Sequence, residues 1–170
     1  MNWYVIFVQT GHEDDICVCI NHVMSERNMT PSYSLLVPKR KLHERRHGVY
    51  REVVRNMFPG YILVNTEDIN GFYMSVREVP RIIRFLGNNN IFLPAANEEI
   101  NRILNISDRN GLIDISKGRL IHDKVIITEG PLFGSENIVK NIDKRKGRAK
   151  VELSISGNLC RVDLGINIEK

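Results

Sequence analysis

The sequence contains little cysteine, with only Cys17, Cys19 and Cys160 among 170 residues. Three cysteines in these positions are too few for a disulfide framework, and a single residue between Cys17 and Cys19 is not the spacing of a zinc knuckle. Residues two apart on a helix point about 200° away from each other, which disfavours a shared site. This argument also covers a site completed by His12 or His22. We therefore expect reduced thiols and no bound metal or cofactor.

Long apolar runs and enzyme motifs are also missing. No apolar run approaches the roughly 20 residues that a membrane span needs. The N-terminus lacks a basic region followed by a long apolar segment and a cleavage site. Neither a glycine-rich phosphate loop, a nucleophile elbow nor a paired-carboxylate signature occurs. We therefore expect a cytoplasmic protein that has no membrane partner and is not an enzyme.

The charge is unevenly distributed along the chain. The formal net charge is only +4, and 42% of the residues are hydrophobic, enough to bury the cores of one medium or two small domains. Within residues 39–55, however, seven cations face only Glu44 and Glu52, a local surplus of five. The rest of the chain is therefore nearly balanced, and this segment is a candidate for binding an acidic partner.

Residues 1–105 alternate between strand and helix patterns. Residues 3–8 are apolar on both faces of a period-two pattern, which predicts a central strand. The segment Thr10-Gly11-His12-Glu13 has the form of a capping box, and helical spacing of apolar residues follows to near Asn28. Further strands are predicted at 33–37, 49–54, from 61 and at 82–86, with helices beginning at Asp68 and Pro94. The pattern indicates an α+β layer with a long basic hairpin.

The second part of the chain has a different residue pattern. Residues 106–120 are polar and predict a linker between a domain at 1–105 and a domain at 121–170. Beyond it, short β-rich runs at 125–128, 138–142, 149–155 and 159–164 are separated by turn residues. Such strands predict a small, stable barrel, because closure removes exposed strand edges.

Several short motifs occur in a fixed order along the chain. In the first domain they are Trp3-Tyr4, Gly11-x-Glu13, Phe58-Pro59-Gly60-Tyr61 and Val79-Pro80 followed by Phe85-Leu86-Gly87. In the second they are Asp123-x-Val125, Gly130-Pro131-Leu132, Ile142-Asp143 and Lys150-Val151-Glu152-Leu153. Together they resemble the NusG family of transcription elongation factors. The resemblance implies an N-terminal NGN domain, an antiparallel sheet with helices, and a C-terminal five-stranded KOW domain, a small SH3-like β-barrel.

Two departures distinguish the chain from a housekeeping member of this family. The second KOW glycine of the family falls at Asn137, which predicts a turn with asparagine at positive φ. The segments 38–42 and 142–146 look more like the specialised antiterminator paralogues, the LoaP group in particular. We therefore expect a LoaP-like antiterminator that suppresses pausing and termination in specific operons. Two alternatives stay open: a general NusG-type factor whose barrel contacts Rho or a ribosomal protein, and a KOW-type RNA-binding module of the translation machinery.

The resemblance also implies a docking patch for RNA polymerase. In the family, an apolar depression of the N-terminal domain receives the clamp helices of the largest polymerase subunit. Carried over by motif, its lining would be Phe7, Tyr61, Leu63 and Ile82. The alternative for each residue is an ordinary place in the hydrophobic core. We expect the protein to work as a monomer on the polymerase.

Two basic segments are the predicted nucleic-acid contacts. On the hairpin, the resemblance implies a position near the upstream DNA fork for Lys39, Arg40, Lys41, Arg45 and Arg46. In the KOW domain, the cations that could grip a folded nascent RNA are Lys140, Lys144, Arg145, Lys146, Arg148 and Lys150. The alternative in each case is a solvated charged face, since the sequence shows no aromatic residue interleaved for base stacking in the KOW cluster.

Overall fold

A computed structural model of the chain describes residues 1–27, 33–88, 91–122 and 124–169. The chain divides into two units, each with its own internal packing. Unit 1 consists of Met1–Val37 and Phe58–Ile100, and unit 2 consists of Pro38–Met57 and Asn101–Lys170. Within the described ranges, no helix is both long enough and apolar enough to cross a membrane.

The first 105 residues contain eight strands and three helices among those described. In chain order these are β1 (Asn2–Val8), α1 (Glu13–Glu26), β2 (Tyr33–Leu36), β3 (Lys39–Arg46), β4 (Val49–Asn56), β5 (Tyr61–Thr66), α2 (Ile69–Val76), β6 (Ile82–Phe85), β7 (Gly87–Asn88), β8 (Ile91–Phe92) and α3 (Asn97–Asn105). The remaining elements are β9 (Leu112–Ile113), β10 (Ser116–Ile121), β11 (Lys124–Glu129), a 3-10 turn at Glu136–Ile138, β12 (Val139–Asp143), β13 (Arg148–Ile155) and β14 (Asn158–Glu169).

An antiparallel sheet with strand order β2-β5-β1-β6 forms the centre of unit 1. The prediction that β1 is an inner strand is confirmed, since it pairs with strands on both sides. One face of the sheet, which includes Ile6 and Ile62, packs with Ile20 of α1 and Phe72 of α2 in a single hydrophobic core. These four side chains are at most 2% exposed, and each contributes about 1.5–3 kcal/mol through burial. The core thus ties both helices to one face of the sheet.

The beginnings of the helices differ from the sequence prediction in two places. Helix α1 begins at Glu13 with His12 as its N-cap, so the capping box predicted from Thr10 was wrong. Its last residue is Glu26, and the predicted end near Asn28 lies outside the described residues. Helix α3 begins at Asn97 rather than Pro94, because the amide of Ala95 donates to the carbonyl of Trp3 and holds that segment outside the helix.

The short helix α2 agrees with its prediction. Asp68 is its N-cap, and the side-chain carboxylate accepts a 2.9 Å hydrogen bond from the amide of Gly71. Ile69, Phe72 and Val76 are buried, as their helical spacing predicts. A cap of this kind stabilises a helix by about 1 kcal/mol.

Unit 2 contains a five-stranded sheet with the order β11-β10-β14-β13-β12. Neighbouring strands of this sheet are antiparallel, except that β10 and β14 run parallel to each other. Alternate residues of β13, from Ala149 to Ile155, are buried and supply much of the interior. The predicted α+β layer followed by a small five-stranded barrel is therefore confirmed.

Two local predictions for the barrel were wrong. Strand β10 lies almost wholly inside the interval predicted as a linker, 106–120. Its first residue, Ser116, is buried and accepts a hydrogen bond from the amide of Leu132. A polar residue in this interval therefore forms part of a strand and not of an exposed linker. Asn137 lies in the 3-10 turn and not at positive φ; two glycines of that loop, Gly130 (φ 93°) and Gly134 (φ 79°), are at positive φ instead. Asp123 of the predicted KOW motif lies outside the described residues.

The basic hairpin formed by β3 and β4 belongs to unit 2. Its two-residue turn uses His47 and Gly48, both at positive φ (49° and 83°), as a type I′ turn requires. Strand β3 also pairs in parallel with β9, where Lys39 lies opposite Leu112. Because the hairpin has these partners, it packs with the C-terminal segment, whereas the sequence had assigned it to the domain at 1–105.

Candidate functional site

Two aromatic side chains form an exposed patch on the sheet of unit 1. Phe7 of β1 and Tyr61 of β5 are register partners, and their rings meet edge to face with centroids 5.3 Å apart. Arg84 of β6 lies opposite Phe7 and places its guanidinium 5.7 Å from the centre of the Phe7 ring. Both aromatic residues are half-buried and Arg84 is exposed. The structure therefore joins two of the four predicted docking residues and adds an arginine that sequence reasoning missed.

Leu63 and Ile82 do not belong to this exposed patch. Leu63 is 0% exposed, so it supports the sheet beneath the surface and offers no area to a partner. Ile82 pairs with Val8, which belongs to the core, and side chains of paired residues lie on the same face. Ile82 packs beside Tyr73 and Phe85, on the face opposite Phe7. The predicted quartet therefore separates into an exposed pair and two residues that serve packing.

A buried carboxylate positions the strand that carries Tyr61. Glu13 is 1% exposed, and its Oε1 accepts a 2.6 Å hydrogen bond from the amide of Gly60 while Oε2 accepts one from Gly11. Gly60 has φ 84°, and a Cβ there would lie 3.1 Å from the hydroxyl of Thr10. One side chain thus connects the start of α1 to the turn before β5. The motifs Gly11-x-Glu13 and Pro59-Gly60-Tyr61, separate in sequence, form a single local structure.

The two basic segments predicted separately meet in unit 2. Arg148, at the start of β13, donates a 2.6 Å hydrogen bond from Nη2 to the backbone carbonyl of His43 in β3. Next to this contact lies an open cleft of about 590 Å³. It is lined by His43, Glu44, Arg45, Tyr50, Arg145, Lys146 and Arg148. We call this surface the composite cleft; its members come from the hairpin, from the turn between β12 and β13, and from the start of β13.

Several predicted cations hold the unit together instead of facing the cleft. Arg40 donates from Nη1 to the carbonyl of Asp163 at 2.6 Å, and burial lowers the pKa of its guanidinium, with Asp163 opposing that shift. Lys41 forms a 3.1 Å ion pair with Asp114, which raises the pKa of the lysine. Lys39 is half-buried at the start of β3, and its amide donates to Gly111. These three residues fasten the hairpin to the segments around β9 and β14.

The cations of the barrel divide between two surfaces. Lys144, Arg145 and Lys146 are exposed on the turn after β12, beside the hairpin. Lys140 and Lys150 instead line a second depression, where Lys140 lies 3.6 Å from Glu152. That depression also contains Arg161, a cation that sequence reasoning missed and that donates to Glu152 at 3.0 Å. The composite cleft therefore contains only part of the predicted set. For Arg46, the structure describes the backbone, which pairs with Val49, but not the side chain.

The turn that carries the barrel cations is held by one acidic side chain. Asp143 accepts a 3.0 Å hydrogen bond from the amide of Lys146, and this bond lowers the pKa of the Asp143 carboxyl, with smaller contributions from the neighbouring cations. Gly147 completes the turn at φ 61°. The carboxylate is thus used within the turn, and the three cations extend from a defined backbone.

The acidic residue that lines the cleft, Glu44, is paired with an arginine. Glu44 receives two hydrogen bonds from Arg55, from Nε at 3.0 Å and from Nη2 at 2.8 Å. This bidentate pair neutralises Glu44 and leaves the surface with a positive surplus. Within the described ranges, no group of three or more His, Cys, Asp or Glu side chains could hold a metal ion. The positive surplus of the cleft therefore suits it to bind an anion.

Comparison with known proteins agrees with this architecture. The family model described as "Transcription termination factor nusG" matches residues 1–104. The chain is 30% identical over 167 residues to the transcription termination/antitermination protein NusG of Haemophilus influenzae, covering 95% of this chain and 89% of that protein. It is 31% identical over 165 residues to the protein of the same name in Pasteurella multocida, with 95% and 90% covered.

A solved structure provides the same comparison for the fold. The structure titled "Domain interaction in Thermotoga maritima NusG" superimposes with a TM-score of 0.59 at 20% identity, covering 96% of this chain and 93% of that one. The family match over residues 1–104 and the two relatives identify a transcription factor and not an enzyme. The chain belongs to the NusG family of transcription termination and antitermination factors.

Proposed function

We propose that this chain is a specialised antiterminator, resembling the LoaP group, that associates with RNA polymerase and suppresses pausing and termination in particular operons. The observation that carries the proposal is the composite cleft. Arg145 and Lys146 of the barrel lie beside Arg45 of the hairpin. A surface of this charge, assembled from two segments, is suited to a nucleic acid whose shape is read through its backbone.

The polymerase contact is assigned to the aromatic patch of unit 1. Phe7 and Tyr61 present an edge-to-face pair on adjacent strands, and Arg84 extends the patch with a cation. Aromatic and arginine side chains are the residues that most often dominate the energy of an interface. We assign this patch to the clamp helices of the largest polymerase subunit, which would bind as helices lying in an apolar groove.

The nucleic-acid contact is assigned to the composite cleft. The hairpin cation Arg45 would contact the upstream DNA or the nascent RNA through phosphates, which position a partner but carry little sequence information. Lys144, Arg145 and Lys146 would bind a folded leader RNA that recruits the factor to its operons. On this reading the protein acts as a monomer in the cytoplasm.

Transcription past a terminator tests the proposal. Purified polymerase would transcribe a template with the native leader upstream of an intrinsic terminator, with and without this protein. We expect full-length transcript to increase only when the protein and the leader are both present. A template whose leader is replaced by an unstructured sequence of equal length is the control. Equal readthrough on both templates would remove the specialised role.

A general factor of the family is the second candidate. It is favoured by the identity of about one residue in three to proteins named for both termination and antitermination. In that case the barrel would contact Rho or a ribosomal protein, and the protein would act on templates without a leader. The remaining alternative, a KOW-type RNA-binding module of the translation machinery, is not supported. Such a module rests on the KOW segment alone, whereas the family match covers residues 1–104, outside that segment.

A further inference from the structure

The composite cleft contains an exposed aromatic side chain that sequence reasoning did not assign. Tyr50 of β4 is 62% exposed and lies among Arg45, Arg145 and Lys146. In the sequence, the KOW cluster contains no interleaved aromatic residue, because Tyr50 lies about 95 positions before it. The fold places its ring in the same cleft as those cations.

The hairpin register explains how this ring is held. Tyr50 lies directly opposite Arg45; Arg45 is two residues before the turn at His47 and Gly48, and Tyr50 is two residues after it. The guanidinium of Arg45 lies 5.8 Å from the centre of the Tyr50 ring and also donates to the carbonyl of Gly48. A cation therefore lies over one side of the ring, a cation–π arrangement of the kind found in single-strand binding sites. Its large exposed fraction leaves area for a second planar group.

We propose that Tyr50 and Arg45 form a stacking platform for an unpaired base of a single nucleic-acid strand, whose phosphates lie against Arg145 and Lys146. This inference rests on the nucleic-acid contact assigned above and deepens it. Proteins that bind single strands combine a basic groove with aromatic rings, and any base can stack on such a ring. The composite cleft has both parts within one unit.

The acidic groups near the platform do not oppose this assignment. Glu44 is engaged by Arg55, and Asp143 accepts the amide of Lys146 within its own turn. Glu52, on the same strand as Tyr50, lines the neighbouring depression together with Lys144. The cations of the cleft therefore outnumber the acidic side chains available to repel a phosphate.

Binding of short labelled strands to the full-length protein tests the platform. The probe is an unpaired RNA of about eight nucleotides, within the range of single-strand site sizes, that carries 2-aminopurine. We expect Tyr50→Ala to weaken binding about tenfold, since the loss of one stacked base has an effect of this order. The same substitution should remove the quenching of 2-aminopurine fluorescence that stacking causes. Tyr50→Phe keeps the ring and should bind within about twofold of the wild type.

The matched control is Phe133→Ala, which removes an equally exposed aromatic residue, 62% exposed, elsewhere in unit 2. It should leave strand binding unchanged. A fully paired RNA of the same length should bind without dependence on Tyr50, and a DNA strand of the same sequence distinguishes RNA from displaced DNA as the source of the base. Binding by Tyr50→Ala equal to that of the wild type, with quenching retained, would overturn the platform while leaving the phosphate contacts intact. Failure of the wild type to bind any nucleic acid would instead overturn the assigned nucleic-acid contact itself.

Discussion

The aromatic patch of unit 1 and the composite cleft of unit 2 are built in different ways. Phe7 and Tyr61 are neighbours because their strands are paired in register, and the sheet beneath them is buried on its core face. The cleft joins residues more than 100 positions apart through a hydrogen bond from Arg148 to the carbonyl of His43. A patch made by strand register depends on packing, whereas a cleft made by charged contacts depends on electrostatics. The two surfaces should therefore respond to different perturbations.

The strongest test of this comparison is charge reversal in the cleft. Replacing Lys144, Arg145 and Lys146 by glutamate should weaken binding of the leader RNA about 100-fold or more at moderate salt, because several phosphate contacts become repulsive. Polymerase binding, measured by co-purification, should persist. The leader RNA affinity of the triple variant would be measured by fluorescence anisotropy.

The control for this experiment makes the same change in net charge at Lys117, Arg119 and Lys124, on β10 and β11. It should lower RNA affinity much less. If both triple variants lose the same affinity, the effect is one of overall charge and the composite cleft has no special role. Rising salt should weaken wild-type RNA binding far more than polymerase binding.

Truncation of the aromatic patch should produce the opposite selectivity. Tyr61→Ala removes one member of the edge-to-face pair and should weaken polymerase binding about 30-fold, the effect of losing about 2 kcal/mol at the centre of an interface. RNA affinity should stay unchanged. Met74→Ala, which removes an exposed apolar side chain of α2, is the control. Retention of full polymerase binding by a folded Tyr61→Ala protein would place the docking surface elsewhere.

The buried carboxylate of unit 1 should matter for stability alone. Glu13→Gln leaves one oxygen to accept from Gly60 or Gly11 but points an amide group toward the other donor. We expect the free energy of unfolding of unit 1 to fall by about 1–3 kcal/mol, the cost of one unsatisfied buried polar group. Trp3, the only tryptophan of the chain, lies on β1 and reports on unit 1 by fluorescence during urea unfolding. Glu78→Gln, at an exposed position of the same unit, should change this transition little.

The smallest effect is expected from replacing Asp143, which changes how the stability of unit 2 depends on pH in acid. The folded-state pKa of Asp143 is lowered chiefly by the amide of Lys146, so its contribution to stability is present above the unfolded pKa of about 3.9. That contribution is lost as pH falls through the lower folded value. Asp143→Asn should therefore flatten the part of the stability profile below about pH 4. Far-ultraviolet circular dichroism during acid titration measures it, and identical profiles for the two proteins would contradict the role of the carboxylate.

Some features of the fold follow directly from local sequence. The apolar pattern of residues 3–8 predicted an inner strand, Asp68 predicted a helix cap, and the turn-separated β runs predicted the small barrel. Each depends on residues close together in the chain, where periodicity and capping chemistry act. Predictions that needed distant partners were less successful. The Glu13 carboxylate, predicted to complete a capping box with Thr10, accepts instead from the amide of Gly60, 47 residues away. The interval predicted as a linker supplies β10, whose first residue, Ser116, accepts from the amide of Leu132.

The sequence by itself determined the class of fold and the identity of the charged and aromatic residues. Tertiary structure decided which of them share a surface. Leu63 is buried and Ile82 faces the core, while Tyr50 joins cations that are about 95 residues away in the chain. The physical reason is that local patterns set the faces of strands and helices, but the pairing of distant segments depends on contacts such as that of Arg148 with His43, which no short window of sequence contains.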